Sequence, residues 1–311
     1  MLQAVAVAFR FKSVLLACLV LAVAACQAGS APSDEPLQWT DGLGRAVALS
    51  APAQRIVSLA PSNAEILFAV GAGPQVVGRD DLSDYPAEAS AVSSIGSTFG
   101  QLNTEAIVAL QPDLVLAASI TAPEQVQALE DLGLMVYVLT DPSDFEGLYR
   151  NLQIVGELTA RADEAAALAA ELEARVTAVE EKTQGVDRLR VFYEADATDP
   201  TAPWTTGSGT FQSVLIDLAG GSNVAGEITG WGQFSLEQLV AVDPQVIVFT
   251  SGPFVPTTSD SLAARPGWGA ISAVADGRVY PIDTNWVDRP GPRLVEALEA
   301  MARFIHPELF D

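Results

Sequence analysis

The stretch LNTEAIVALQPDLVLA, beginning at Leu102, recurs in outline as FSLEQLVAVDPQVIVF, beginning at Phe234. Glu105 and Pro112 of the first copy fall on Glu237 and Pro244 of the second, an offset of 132 residues both times. Each copy reads as a polar cap (Asn103 or Thr104; Ser235), a short helix, a proline break and an apolar strand. Four of the sixteen positions are identical and the hydrophobic pattern matches at most of the rest. A supersecondary unit used twice in 311 residues predicts two similar lobes, each long enough for its own core. Two lobes leave a cleft, and clefts are where small molecules bind.

Strand and helix patterns alternate through both halves. RIVSLA, QVVGRDD and MVYVLT read as strands, while PSNAEILFAVGAG and TAPEQVQALEDLG read as helices. The expected fold class is therefore α/β: two Rossmann-like lobes with mainly parallel sheets. From Asp144 to about Gln184 the pattern is helical without strands. Within it ADEAAALAAELEARVTAVEEK predicts one uninterrupted helix on the order of 30 Å long, a spine joining the lobes. LQWTDGLGRAVAL reads as an entry hairpin turning at Asp41-Gly42. The expected divisions are an N-terminal lobe over 37–143, a helical segment over 144–185 and a C-terminal lobe over 186–311.

Residues 1–25 carry Arg10 and Lys12 and then the apolar run SVLLACLVLAVAA, without an acid. That pattern is a signal peptide, since the uncharged run is too short to span a membrane and ends in small residues. It stops at VAAC, which resembles the lipobox of bacterial lipoproteins. The resemblance implies that Cys26 is acylated after cleavage and anchors the chain outside the cell membrane; the plain alternative is an ordinary signal with an incidental thiol. Residues 26–36, mostly small, polar and proline-bearing, fit a tether. Cys18 is lost with the leader, so the mature chain keeps one cysteine and cannot form an internal disulfide. Removing two positive charges takes the net charge from −23 to −25. Such acidity argues against nucleic acid and against binding anionic lipid by charge. It suits a partner that presents arginines, and equally suits adaptation to salt or solubility.

His306 is the only histidine and lies five residues from the end, where a solvated helix terminus is expected. That nearly removes a histidine-based triad and a multi-histidine metal site. No GxxxxGK[ST] loop occurs, and TTGSGTF reads as a tight turn opening a helix. No spacing of carboxylates singles out an acid–base pair. An exported enzyme is the remote alternative, and no resident cofactor or metal is expected.

What remains is a set of large residues in turn-rich loops: Phe99, Trp204, Trp231 and Trp286. Phe99 and Trp231 each precede a repeat glutamate by six residues, so related lobes place them at equivalent positions beside the gap. Aromatic faces suit a large, flat, partly apolar ligand, although a loop tryptophan also serves as a lid over its own core. Asp288 and Arg289, next to Trp286, can meet polar groups at such a ligand's edge. Trp39 and Trp268 read as structural. Glu105 and Glu237 gain individually from the helix dipole, but that does not explain the same position in both lobes. Two matched acids at one face can fix a two-fold partner by charge.

Taken together, RIVSLAPSNAEILFAVG, the SDYP loop, LNTEAIVALQPDLVL, the spine, the second repeat and NWVDRPGPR resemble the substrate-binding proteins of ABC importers of the rigid-helix class. That family serves vitamin B12, iron-siderophores and haem, and the likeness covers the chain from about Leu37 onward. Within it the cobalamin-binding members are the most similar. There, aromatics occupy positions matching Phe99, Trp204, Trp231 and Trp286, and the segment around Asp288 and Arg289 lines the cleft. This chain departs at Leu82, where that group has tyrosine, and at Phe99, where it has tryptophan. The resemblance implies a monomeric extracytoplasmic carrier whose cargo is a corrinoid, or alternatively an iron-siderophore or haem. It also implies docking of Glu105 and Glu237 onto arginines of a dimeric permease served by an ATPase.

Overall fold

Short β-branched runs flanked by glycine and proline build two four-stranded sheets. In the first lobe these are β3 (Ile56–Ser58), β4 (Val76–Arg79), β5 (Leu114–Ala118) and β6 (Val136–Leu139), in the order β4-β3-β5-β6 and all parallel. In the second they are β7 (Leu189–Glu194), β9 (Gly221–Asn223), β11 (Val246–Ser251) and β12 (Val279–Asp283), ordered β9-β7-β11-β12 and again all parallel. In both lobes the second strand of the sheet flanks the first on one side, with the third and fourth following on the other. The α/β class and the two-lobe plan expected from the repeat are what the fold shows. This computed structural model describes residues 37–310 apart from 197, 253, 254 and 256. The signal peptide, Cys26 and the tether lie outside the described residues.

Local chemistry repeats along with topology. Helix α2 (Thr104–Ala109) is capped by Asn103, whose Oδ1 accepts from Ala106 N–H at 3.1 Å. Helix α7 (Leu236–Val242) is capped by Ser235, whose Oγ accepts from Gln238 N–H at 3.2 Å. Each helix ends on a left-handed residue, Gln111 at φ 50° and Asp243 at φ 46°, immediately before a proline that cannot continue it. Left-handed backbone is unfavourable without glycine. In both lobes an arginine covers the exposed helix end: Arg55 Nε donates to Gln111 O at 3.0 Å, and Arg190 Nη2 donates to Asp243 O at 2.8 Å.

The strand-free segment divides into α4 (Phe145–Thr159) and the spine α5 (Ala162–Thr183), separated by left-handed Ala160. The spine buries Ala165, Ala169, Leu172, Val176, Val179 and Thr183, one stripe at alternating spacings of four and three. That stripe lies against α4 of the first lobe and against α6 (Phe211–Leu218) and α11 (Leu294–Ile305) of the second. Arg175 holds its outer edge to α11 through Glu299 at 2.9 Å and Glu296 at 3.3 Å. One hydrophobic cluster therefore runs from the first sheet through the spine into the second, and two smaller ones lie in single lobes. Each fully buried Leu or Val contributes roughly 1.5–3 kcal/mol, so a bend between the lobes would break an extended core.

The hairpin strands β1 (Leu37–Thr40) and β2 (Ala46–Leu49) pair as a small sheet, with Asp41 Oδ1 accepting from the N–H groups of Leu43 and Arg45 at 3.0 Å. Trp268 is fully buried and donates to Pro200 O at 3.1 Å, while half-buried Trp39 donates to Glu157 at 2.7 Å. His306 corrects the expectation of a solvated end. It is 4% exposed, with Nε2 3.2 Å from Gly220 O, because the chain folds back over it after α11.

Candidate functional site

Parallel sheets place every strand's carboxyl end on one edge, and the crevice outside those ends is the natural ligand site of such folds. Here both sheets contribute. After β3 the chain turns through Leu59–Ala60 into α1 (Pro61–Ala69); after β5 it passes Ile120, and after β6 it passes Asp141. From the second lobe come the residues that follow the one-turn helix α10 (Thr284–Val287), namely Asp288, Arg289 and Pro290. These surfaces enclose a cavity of about 620 Å³. A second cavity of about 360 Å³ is lined by Gly209, Thr210, Gln212 and Trp231 of the second lobe. The two share Asp141, Asp288 and Pro290, so they form one continuous cleft.

The sequence-predicted residues divide. Phe99 is 66% exposed and lines the larger cavity; Trp231 is 53% exposed and lines the smaller. Trp231 lies on β10 (Trp231–Gln233), paired antiparallel with β8 (Trp204–Thr206) so that Trp231 meets Thr206 and Gln233 meets Trp204. This register places Trp204 diagonally from Trp231, but Trp204 lines neither cavity. Trp286 is half-buried against the central core and also lines neither. Leu82 and exposed Ile120 add apolar surface to the larger cavity.

Polar groups concentrate at the seam. Asp141 of the first lobe and Asp288 of the second have exposed side chains, yet both stand in a concavity walled by protein. The walls remove enough water to push the Asp288 carboxyl up to about 6, against a counter-pull from the Gln212 amide at 3.4 Å. Burial likewise raises Asp141. Neither has an ion-pair partner among the described residues.

Arg289 does have partners. Its Nη1 lies 2.7 Å from Asp84 Oδ1 and 3.5 Å from Glu65 Oε1. Glu65 sits on α1 of the first lobe with its side chain 1% exposed, and it also takes Arg293 Nη2 at 2.5 Å and Nε at 3.0 Å. The Arg293 guanidinium lies 4.0 Å above the Tyr85 ring. Two first-lobe acids and one aromatic therefore clasp two second-lobe arginines. Sequence reasoning missed Glu65, Asp84 and Asp141. A carboxylate inside the otherwise apolar helix SNAEILFA was the available signal, since such a group stays buried only with a partner.

No Tyr, His, Cys or Met lines either cavity, and no cluster of three or more metal-ligating side chains occurs among the described residues. Away from the cleft, Glu105 and Glu237 stand exposed on the first turns of α2 and α7. No helix among the described residues is long and apolar enough to cross a membrane.

A twice-built α/β framework on a stiff strut, closing on a cavity between its lobes, is the plan of a two-lobed binding protein. The chain belongs to the periplasmic binding protein family, whose pattern matches residues 56–285. It is 33% identical over 281 residues to YvrC, an ABC transporter substrate-binding lipoprotein of Bacillus subtilis, covering 88% of this chain and 87% of that one. It is 31% identical over 279 residues to a cobalamin-binding protein of Halobacterium salinarum, covering 87% and 74% respectively. Among solved structures it is similar to the apo form of the periplasmic haem-binding protein RhuT from Roseiflexus. The TM-score is 0.73 at 26% identity, over 83% of this chain and 99% of that chain.

Proposed function

We propose that the chain is the lipid-anchored, extracytoplasmic component of an importer and that it carries a corrinoid in the cleft between its lobes. One observation supports the cargo above the rest: a partly apolar cavity that offers two carboxylate acceptors at its seam and, among the described residues, none of the His, Tyr, Cys or Met side chains that hold haem iron. A corrinoid is a flat macrocycle that brings its own axial base and is edged with carboxamides. Its amide N–H groups meet Asp141 and Asp288, while Phe99, Trp231, Leu82 and Ile120 cover its faces. Haem instead needs a protein ligand such as His, Tyr, Cys or Met and brings two carboxylates, and the cleft supplies neither the ligand nor an unpaired arginine. The cobalamin-binding relative points the same way.

The docking reading rests on the repeat. At the same offset that relates Glu105 to Glu237, Val108 relates to Val240, 41% and 37% exposed. Each lobe thus presents an acid with an apolar residue one turn on, a pattern that fits a dimeric permease carrying arginines. The chain performs no chemistry on its cargo. Lobe closure on binding is small, because the spine and its shared core resist bending. Calorimetry with cyanocobalamin tests the cargo; the absence of both heat and a mass-detected complex would remove the corrinoid. Radiolabelled fatty acid following Cys26, and lost in Cys26→Ala, tests the anchor.

A further inference from the structure

Among the described residues Arg289 is the only basic one lining the cleft, and it is already spoken for. Asp84 holds its Nη1 at 2.7 Å, and Glu65 lies 3.5 Å from the same nitrogen. Arg293, immediately behind, is closed by two contacts to Glu65 and by the Tyr85 ring. Two acids thus offset two arginines, and Asp141 and Asp288 are left over at the seam. The side chains of Arg289 and Arg293 are only 15% and 13% exposed, so solvent screens these charges poorly and their balance is felt inside the cavity.

We propose that Glu65 and Asp84 are specificity-determining residues: by neutralising Arg289 and Arg293 they make the cleft reject ligands that carry carboxylates and accept uncharged, amide-edged ones. The discrimination works against the wrong ligand. An added carboxylate loses water on entering, meets two unpaired acids, and finds no free cation in return. Arg289 keeps donor capacity toward the cavity while its net charge is offset, which suits a carbonyl oxygen better than an anion. The acids are supplied by one lobe and the arginines by the other, so this balance exists only while the lobes are together.

The inference rests on the cleft being the cargo site, and its test separates the two claims by using pairs of ligands that differ chiefly in carboxylate charge. One pair is cyanocobalamin and its monocarboxylic acid; the other is the dimethyl ester of haem and haem itself. Wild-type protein is expected to favour the carboxylate-free member of a bound pair by about tenfold. Asp84→Asn, at a carboxylate 64% exposed, keeps the fold and should cut that preference by about threefold or more. Glu65→Gln should cut it further. A purely structural role lowers both affinities together and leaves their ratio fixed, so an unchanged ratio in Asp84→Asn overturns the proposal even if Glu65→Gln fails to fold. Binding of the haem pair alone removes the corrinoid reading while its ratio still decides the charge rule. Binding of neither pair overturns both.

Discussion

The two lobes are alike where they face away from the cleft and unlike where they face it. Sheet order, polar caps, left-handed helix ends and the covering arginines Arg55 and Arg190 recur from one lobe to the other. Inside the cleft each lobe mixes apolar and polar groups but with different residues: Leu82, Phe99, Ile120, Gln125 and Asp141 from the first, and Phe211, Trp231, Gln212, Asp288 and Arg289 from the second. Backbone groups at strand and helix ends must be satisfied wherever the unit is used, so both copies carry the same solutions. Ligand recognition has no such requirement to be symmetric. A two-faced ligand, apolar on its surfaces and polar at its edge, fits two unlike walls on a common frame.

The strongest way to break the comparison is at the clasp where charged groups of the two lobes meet. Glu65→Ala leaves Arg289 and Arg293 partly buried without their shared carboxylate, and should lower unfolding free energy by about 3–5 kcal/mol; denaturant unfolding measures it. A loss under about 1 kcal/mol would mean that the clasp does not hold the lobes. Next comes the symmetric face. Glu105→Ala and Glu237→Ala should each cut uptake about tenfold or more while ligand affinity stays within about twofold. An effect at one glutamate alone would show that the partner does not read the duplication.

The repeat made the fold legible because a cap, a proline and a glutamate at fixed spacing are local signals, and local signals survive without tertiary context. The spine was legible for the same reason: its stripe lies within one continuous segment. Phe99 and Trp231 stood out as large apolar residues among turn formers. The clasp was not legible. Glu65 and Arg293 are 228 residues apart, and nothing local says that they meet. Trp204 and Trp286 resembled Trp231 in their loops, yet only the fold shows that one stands on the ribbon outside both cavities and the other leans on the core. His306 misled for a related reason, since burial by a following turn leaves no mark in composition.

Those aromatics sharpen the comparison on a smaller scale. Phe99→Ala and Trp231→Ala, each six residues before a repeat glutamate, should each weaken cyanocobalamin binding roughly tenfold, about 1.4 kcal/mol. Trp286→Ala should instead lower stability by about 2 kcal/mol with affinity nearly unchanged, because its ring supports the core. Calorimetry and thermal unfolding on the same three proteins separate the effects; a large affinity loss at Trp286 would place its ring in the ligand's path.

The smallest effect concerns the carboxylates at the seam. Asp288 titrates at about 6 in the folded chain, against 3.8 for a freely solvated aspartate, so between those values the folded form holds the extra proton. Stability contributed by this group is therefore fully present below about pH 4 and is lost as pH rises toward 6. Ligand affinity runs the other way, since the ionised carboxylate is the better acceptor for an amide N–H. Cyanocobalamin should bind about two- to fivefold more tightly at pH 7.5 than at pH 5, and binding near pH 6 should release protons. The groups facing Asp288 are Gln212, Asp141, Tyr193 and Arg289, and only Asp141, raised by burial, can add its own titration. Asp288→Asn should flatten both slopes, whereas Asp141→Asn should retain most of the affinity change. If the slope instead follows Asp141, the titrating acceptor belongs to the first lobe, across the seam from Asp288 and Arg289.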